Sequence, residues 1–405
     1  MSYSVEEVIQ YIEEEDVKFI RLAFCDVYGK QKNISIMAKE IERAFQYGVA
    51  IDASAISGFG EEVHSDLFLH PDPSTISVLP WRPEHGKVLR LFCDITYPDK
   101  RPFENDTRRI LKKAISAARE AGYSFFFGSE MEFYLFKTDD NGNPTKEPYD
   151  EGGYMDIAPE DKGENVRREI CLTLEKMGIH PEKSHHEEGP GQNEIDFRYS
   201  DPLTAADNAV TFCSVVRTIA TINGLYADFS PKPFEDKPGN GFHINVSVQG
   251  EEKEDILPYV ISGILEKIID MNIFLNPREI SYERLGSRKA PIYVSWSPEN
   301  RSSLIRVPAA FGEYKRVELR SPDPLANPYL AFALIIYAGL YGIENKLALP
   351  KPVDINFFVA ASDALDKYNK LPESLPKAKI VAKNSEFISK CLPISLIDVY
   401  CQEKE

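Results

Sequence analysis

The sequence lacks the short motifs that mark common metal and cofactor sites. Its six cysteines are scattered, with no C-x-x-C pair. This argues against a zinc site and a disulfide framework, and it is typical of reduced thiols in a cytosolic protein. No G-x-x-x-x-G-K-[ST] segment is present, and no G-x-G-x-x-G segment opens a helix. A bound nucleotide would therefore not be held by a P-loop or a Rossmann turn.

Long apolar runs and positive charge are also scarce. The longest apolar stretch, Tyr329 to Ile343, is shorter than a bilayer crossing requires. The amino terminus has neither the basic start nor the apolar run of a signal peptide. With 47 basic and 64 acidic residues, the net charge is −17, which argues against nucleic acid or an anionic membrane as the main partner. We therefore expect a cytoplasmic globular protein.

What the sequence does contain is a pair of glutamates in a segment that is typical of a β-strand. Glu130 and Glu132 follow the aromatic run from Tyr123 to Phe127. Side chains alternate along a strand, so both carboxylates lie on one face, about 7 Å apart. Burying two such charges is costly unless a cation lies beside them. For an isolated E-x-E, a half-exposed acidic strand is the simpler interpretation.

Three more predicted strands share this pattern of one apolar face and one polar face. Their polar positions, with the first pair, are Glu130/Glu132, Glu194/Asp196/Arg198, His243/Asn245/Ser247 and Arg316/Glu318/Arg320. The repeated pattern predicts a sheet that faces a polar cavity and has helices behind it, although ion pairs across an ordinary sheet would also explain it. Carboxylates with one imidazole suit Mg²⁺ or Mn²⁺. Arginines beside them suit phosphate groups, and together these features favour phosphoryl transfer.

Several long segments, in the same order, resemble the type I glutamine synthetases, in the short form that lacks the enterobacterial insertion. The resemblance lies in 51–81, 128–133, 185–194, 231–243, 282–285, 300–302, 305–308 and 316–330. It implies an α+β fold. A small β-grasp-like N-terminal domain would span residues 1–100. A catalytic domain with an antiparallel half-barrel backed by helices would span residues 101–405. It also implies a homododecamer of two hexameric rings with shared active sites.

The resemblance further implies two or more Mg²⁺ or Mn²⁺ ions per site, with ATP, glutamate and ammonia as substrates. One metal would be held by Glu132, Glu187 and Glu194, and the other by Glu130, His243 and Glu318. The implied phosphate and nucleotide residues are Arg301, Arg306, Arg320, Arg316 and Ser247. The implied glutamate and ammonium residues are Arg284, Gly239, Asp52 from the adjacent subunit, and Asp66.

Three positions depart from the family pattern, all on the substrate side. Arg288 and Lys289 precede Ala290 where the family has a glutamate that closes the site and accepts a proton. A charged lysine cannot accept a proton and would repel ammonium. Pro238 replaces an asparagine and removes a backbone donor. Ala53 replaces a glycine beside Asp52.

These departures leave three functional interpretations. The first is a glutamine synthetase with an altered substrate loop. The second is a ligase that joins glutamate to an organic amine or polyamine. The third is a non-catalytic paralogue with a regulatory or structural role. The complete set of expected metal and phosphate residues argues against the third, because an inactive site need not keep them.

Overall fold

The first hundred residues form a mixed sheet with two helices. The computed structural model describes residues 3–60, 63, 65–82, 85–250, 255–309 and 315–402. In chain order, the elements of this part are α1 (Val5–Glu14), β1 (Val17–Cys25), β2 (Gln31–Met37), α2 (Ile41–Tyr47), β3 (Val49–Asp52), β4 (Asp66–Pro71), β5 (Ser77–Val78) and β6 (Lys87–Thr96). The strand order is β2-β1-β6-β4-β3, and β5 also pairs with β6. Strands β1 and β2 form the predicted hairpin, and β1 runs parallel to β6.

Two local predictions in this part can be compared with the structure. The sequence Ser4-Val5-Glu6-Glu7 predicts a capping box, and in the structure Ser4 and Glu7 cap α1 reciprocally. The small residues from Ile51 to Gly60 predict a loop, but the segment begins as strand β3, which pairs with β4 before a short 3₁₀ turn at Ala53–Ala55. Small residues obscured this strand because its stability comes from pairing with β4 and not from its own side chains.

The larger part of the chain is built on a curled, nine-stranded half-barrel sheet. Its strands are β7 (Tyr123–Thr138), β8 (Pro144–Pro148), β9 (Pro181–His186), β10 (Gln192–Ser200), β11 (Leu225–Asp228), β12 (Phe242–Gly250), β13 (Trp296–Pro298), β14 (Ile305–Val307) and β15 (Val317–Leu319). The order is β13-β14-β15-β12-β7-β10-β9, with β8 and β11 also paired to β7. All pairs are antiparallel except β13 with β14.

The helices of this part of the chain pack against one face of the sheet or against one another. They are α3 (Thr107–Glu120), α4 (Glu164–Lys176), α5 (Pro202–Ile222), α6 (Leu257–Leu275), α7 (Glu279–Arg284), α8 (Pro328–Glu344), α9 (Ser362–Leu365), α10 (Leu375–Asn384), α11 (Glu386–Cys391) and α12 (Ile394–Cys401). Among the described residues, no helix is both long and apolar enough to cross a bilayer. Helix α8 is apolar and almost wholly buried, as the sequence predicted for this stretch.

Alternation along β7 separates the apolar core from the polar face. Phe127 stacks on Phe332 of α8, and Phe133 contacts Phe212 of α5, so this face packs on the helices. Glu130 and Glu132 point to the opposite face. The prediction for β10 was right for Glu194 and Asp196, which are buried, but wrong for Arg198, which is exposed. The pairing of β10 with β7 shifts register after Phe197, and this irregularity breaks the alternation.

Candidate active site

Two adjoining cavities lie on the polar face of the half-barrel. The acidic cavity has a volume of about 300 Å³ and is lined by Glu130, Glu132, Tyr154, Glu187, Glu188, Glu194, His243, Lys289, Arg301 and Arg320. The outer cavity has a volume of about 570 Å³, and its lining includes Ser247, Arg316, Phe126 and Tyr199. Glu130 lines both cavities. A ligand in the outer cavity could therefore reach the carboxylates of the acidic cavity.

The register of four adjacent strands brings the carboxylates together. Glu132 is opposite Glu194, and Glu130 is opposite both Asp196 and His243. Asn245, two residues beyond His243, is opposite Glu318 on β15. Opposite residues in antiparallel strands have Cβ atoms about 4.5–5.5 Å apart. Residues that are far apart in sequence thus form one cluster.

The three residues predicted to hold one metal lie within coordinating distance of one another. Ligand atoms of Glu130, His243 and Glu318 all lie within 4.8 Å of each other. The Nδ1 atom of His243 is 3.5 Å from Glu130 Oε2 and 3.6 Å from Glu318 Oε1. Carboxylate oxygens with one imidazole nitrogen fit Mg²⁺ or Mn²⁺.

The residues predicted to hold the other metal share the same cavity but form two overlapping groups. Glu194 groups with Glu132 and His243, and separately with Glu187 and His185. His185 Nε2 lies 3.3 Å from Glu187 Oε1. His185, to which the sequence reasoning gave no role, is therefore a further candidate metal ligand. The sequence feature that could have indicated this is its position beside His186 and Glu187.

The electrostatics of the cluster favour a bound cation. Burial, followed by the charges of Glu132 and Asp196, raises the pKa of Glu194 well above its usual value. Burial and Glu130 raise the pKa of Asp196 to about 6. Burial alone would also raise the pKa of Glu130, but His243, Asn245 and nearby Arg320 lower it to about 2. A divalent cation would relieve this mutual repulsion, so the donor set fits the expected metal.

Arginines surround Glu318 at the edge of the cluster. Arg306 donates to Glu318 Oε2 at 2.7 Å, and Arg320 pairs with Glu318 Oε1. Arg301 lines the acidic cavity and Arg316 the outer one. The predicted phosphate residues therefore lie around both cavities. Arg306 is in neither lining and reaches the cluster only through Glu318.

An amide that sequence reasoning left without a role links the outer cavity to Glu130. Asn245 donates from Nδ2 to Glu130 Oε1 at 2.9 Å, and its Oδ1 accepts from Arg316 Nε at 3.0 Å. Ser247, one alternation further along β12, lines the outer cavity. Asn245 thus orients one carboxylate and one arginine at the same time.

The residues predicted to bind glutamate lie behind the acidic cavity. Arg284 is buried, and it donates to the backbone carbonyls of Ser321 and Arg320 at 2.8 and 3.3 Å. A Cβ at Gly239 would lie 2.3 Å from the Pro231 carbonyl, so only glycine fits there. Arg284 does not line the acidic cavity, and a Cβ at Gly239 would also lie 3.0 Å from its Cγ.

The carboxylate of Glu132 is held by a second set of hydrogen bonds. Gly241 N and Gln192 Nε2 both donate to Glu132 Oε2, at 2.8 and 3.2 Å. The carbonyl of Pro238, the residue that departs from the family pattern, accepts from the buried Tyr134 hydroxyl at 2.7 Å. This contact uses the backbone carbonyl of Pro238, which any residue at this position would provide.

The predicted ammonium residues lie in the N-terminal part of the chain. Asp52 and Asp66 are opposite each other on β3 and β4, and both are exposed. Asp52 accepts from Ser54 N and Oγ, which lowers its pKa. Ala53 is buried behind it. Neither aspartate lines the acidic cavity of its own chain.

A buried histidine and aspartate, both missed at the sequence level as site elements, support the loop that carries Glu187. His186 bonds to Asp150 Oδ1 at 2.8 Å and to the Glu187 carbonyl at 2.7 Å. Asp150 also accepts from Gly191 N at 2.9 Å. These contacts fix both ends of the loop between β9 and β10. Asp150 is 36 residues from His186 in the chain, so only the fold shows that they meet.

Comparisons with known proteins agree with this geometry. The description "Glutamine synthetase, catalytic domain" matches residues 104–405, and "Glutamine synthetase, beta-Grasp domain" matches residues 16–98. A glutamine synthetase of Methanosarcina mazei is 44% identical and aligns with 99% of this chain and 93% of its own length. A glutamine synthetase of Clostridium saccharobutylicum is 44% identical and aligns with 96% of this chain and 91% of its own length. A glutamine synthetase of Staphylococcus aureus is 41% identical and aligns with 100% of this chain and 94% of its own length.

Solved structures show the same fold. A GmaS/ADP complex superposes with a TM-score of 0.88 at 27% identity, covering 97% of this chain and 94% of the other. A Plasmodium falciparum glutamine synthetase superposes with a TM-score of 0.86 at 22% identity, covering 99% and 95%. The second likeness bears on the fold alone.

Proposed function

This chain belongs to the glutamine synthetase family, and we propose that it is an ATP-dependent ligase that makes glutamine from glutamate and ammonia. The observation that carries the proposal is the cluster of Glu130, Glu132, Glu187, Glu194 and Glu318 with His243, which adjoins a cavity lined by Arg316 and Ser247. Metal ligands beside phosphate-binding arginines are what phosphoryl transfer requires. The organic-amine and non-catalytic alternatives are not favoured, because the relatives that match nearly the whole chain are named glutamine synthetases.

The reaction has two steps, with both bonds formed at the acidic cavity. A γ-carboxylate oxygen of glutamate attacks the γ-phosphorus of ATP, and the bond to ADP breaks. The nitrogen of ammonia then attacks the acyl carbon, and phosphate leaves. Bound divalent cations would supply charge neutralisation in the first step. Arg301 and Arg320, which line the cavity, would hold the transferred phosphate.

The remaining roles concern substrate placement and proton removal. Arg306, which like Arg320 contacts Glu318, would also hold phosphate. Arg284 would bind the α-carboxylate of glutamate beside Gly239, after a small movement of its side chain from the Ser321 carbonyl. Asp52 would accept a proton from the amine, supported by Asp66.

Because Asp52 does not line the acidic cavity of its own chain, a neighbouring subunit would supply it. We therefore propose a homo-oligomer, of the dodecameric form with two stacked rings, in the cytoplasm. Mixing subunits with Asp52→Ala and subunits with Glu318→Ala, after dissociation and reassembly, should restore a fraction of the activity that each homogeneous variant lacks. A fully active monomer in solution would contradict the shared site.

The substrate is tested by an amine panel. Purified protein is incubated with Mg²⁺, ATP and glutamate, and with ammonia, methylamine or a polyamine in turn, while phosphate and amide products are measured. Glutamine formation with ammonia supports the proposal. If product forms only with an organic amine, that amine and not ammonia is the substrate. If no amine leads to phosphate release, the proposed ligase function is overturned.

A further inference from the structure

A tight turn beside the acidic cavity directs one lysine into it. The turn spans residues 286–290 and is closed by Gly286 N donating to the Ala290 carbonyl at 2.9 Å and Ala290 N to the Ser287 carbonyl at 3.0 Å. Lys289 has a φ of +60°, a left-handed conformation that non-glycine residues rarely adopt. It is the turn residue whose side chain lines the acidic cavity. Unfavourable backbone conformations of this kind persist where surrounding contacts hold them.

Two other segments hold the lysine ammonium in place. Lys289 Nζ lies 2.9 Å from Glu188 Oε1 and 5.0 Å from the centre of the Tyr154 ring. Glu188 directly follows the predicted metal ligand Glu187, and both line the cavity. Tyr154 makes an edge contact with His185, with ring centres 5.4 Å apart. The ammonium therefore joins the turn to the loop after β9 and to the segment before α4.

We propose that the Lys289–Glu188 ion pair is a latch that holds the turn 286–290 over the acidic cavity and keeps water away from the acyl phosphate. The inference rests on the proposed glutamine synthesis. Lys289 and Glu188 act as positioning residues in this role, and neither exchanges a proton with substrate. The latch explains how a lysine serves at a position where a proton-accepting glutamate was expected.

The expected size of the effect follows from the exposure of the pair. The Lys289 and Glu188 side chains are 42% and 38% exposed. Ion pairs at such sites change the population of the state they stabilise by roughly 1.5- to 5-fold. Loss of the pair should therefore leave the fold intact and open the turn more often. In the open state, water instead of ammonia attacks the acyl phosphate and regenerates glutamate and phosphate.

The readout is the number of phosphates released per glutamine formed. Wild-type protein should give a ratio near one. Lys289→Met and Glu188→Gln should each raise the excess of this ratio over one, which measures hydrolysis relative to amide formation, by about 1.5- to 5-fold. The charge-swapped double variant, Lys289→Glu with Glu188→Lys, should return the ratio toward the wild-type value. A lesion that only lowered stability would reduce both products together and leave the ratio unchanged.

The matched control is Lys377→Met, which removes a more exposed ion pair to Glu373, at 2.7 Å, on α10 and the segment before it. Its ratio should stay at the wild-type value. If wild-type protein makes glutamine and the latch variants keep the wild-type excess of phosphate over glutamine, the latch is overturned while the proposed function stands. If Glu188→Gln stops amide formation and the charge swap does not rescue it, Glu188 is a catalytic group and the latch is again overturned.

A second measurement is independent of turnover. Amide hydrogen exchange over residues 286–290, measured with Mg²⁺ and ADP present, should be faster in Lys289→Met than in wild-type protein and unchanged in Lys377→Met. Equal exchange in all three proteins would overturn the latch even if the proposed function failed. No glutamine or phosphate from wild-type protein would overturn the proposed function and, with it, the shielding of an acyl phosphate, while the exchange measurement would still decide whether the ion pair holds the turn.

Discussion

Two buried ionic clusters in this molecule differ in how their charges are balanced. At the junction between the N-terminal sheet and the helices, the Arg108 guanidinium contacts Asp207 at 2.9 Å and Asp72 at 3.0 Å, and Lys112 contacts Asp94 at 2.7 Å. Each of these carboxylates has a cation within 3.0 Å. In the acidic cavity, no lysine or arginine among the described residues forms an ion pair with Glu132 or Glu194.

The pKa values follow this difference. At the junction, burial raises the pKa of Asp72, but the charges of Arg108 and Lys112 and a hydrogen bond from Ser74 lower it overall. In the cavity, burial and neighbouring carboxylates leave the pKa of Glu194 well above normal. In the first cluster the folded protein supplies the cations that balance the carboxylates, whereas the carboxylates of the second cluster need a bound cation. Strongly perturbed groups in a cleft are typical of functional sites.

The largest expected effect concerns the cavity. Glu132→Ala should abolish metal-dependent nucleotide binding, because it removes a cavity carboxylate that forms no ion pair with a lysine or arginine of the described residues. The loss should exceed the roughly 10–100-fold cost of removing an outer partner of a metal ligand. Calorimetric titration with Mg²⁺ or Mn²⁺ and ADP measures it. Glu147→Ala, at an exposed carboxylate on β8, is the control, and unchanged metal affinity in Glu132→Ala would contradict the metal assignment.

The next largest expected effect is on the free energy of unfolding, at the junction between the N-terminal sheet and the helices. Arg108→Met leaves buried carboxylates without their cation and should lower the free energy of unfolding by about 3–5 kcal/mol. Tyr329→Phe, which removes a hydroxyl that donates to Asp207 at 2.6 Å, should cost only about 1 kcal/mol. Denaturant unfolding measures both. Junction variants that remain folded should keep the metal affinity of the wild-type protein. A folded junction variant with lower metal affinity would contradict the view that the two clusters have separate roles.

The smallest expected effect is a dependence of protein stability on pH, caused by the buried carboxyl group of Asp323 behind the cavity. Burial raises the pKa of Asp323 to about 6, although Arg284 and hydrogen bonds partly oppose this. The folded state therefore binds a proton more tightly than the unfolded state. This stability is fully present below about pH 3.8 and is lost as pH rises through 6.

Asp323→Asn should consequently gain stability relative to wild type between pH 4 and pH 7, by on the order of 1–2 kcal/mol. Paired thermal melts across this range measure the difference. A stability difference that does not change with pH would show that Asp323 is ionised throughout.

Much of the fold could be predicted from local patterns. The alternation in β7, β10, β12 and β15 predicted the polar face. The error at Arg198 came from an irregularity in pairing, which alternation in one strand cannot reveal. The site residues that were missed, such as Asn245, His185 and the Asp150–His186 pair, act through partners far away in the chain.

The sequence by itself determined which residue types face the cavity, because the period of a strand assigns every second side chain to one face. It also carried the family resemblance. Only the tertiary structure decided which carboxylates lie within coordinating distance, since strand register sets those distances. The tertiary structure also decided that Lys289 contacts Glu188, because the turn and the loop that carry them are 101 residues apart in the chain and approach each other only in the folded half-barrel.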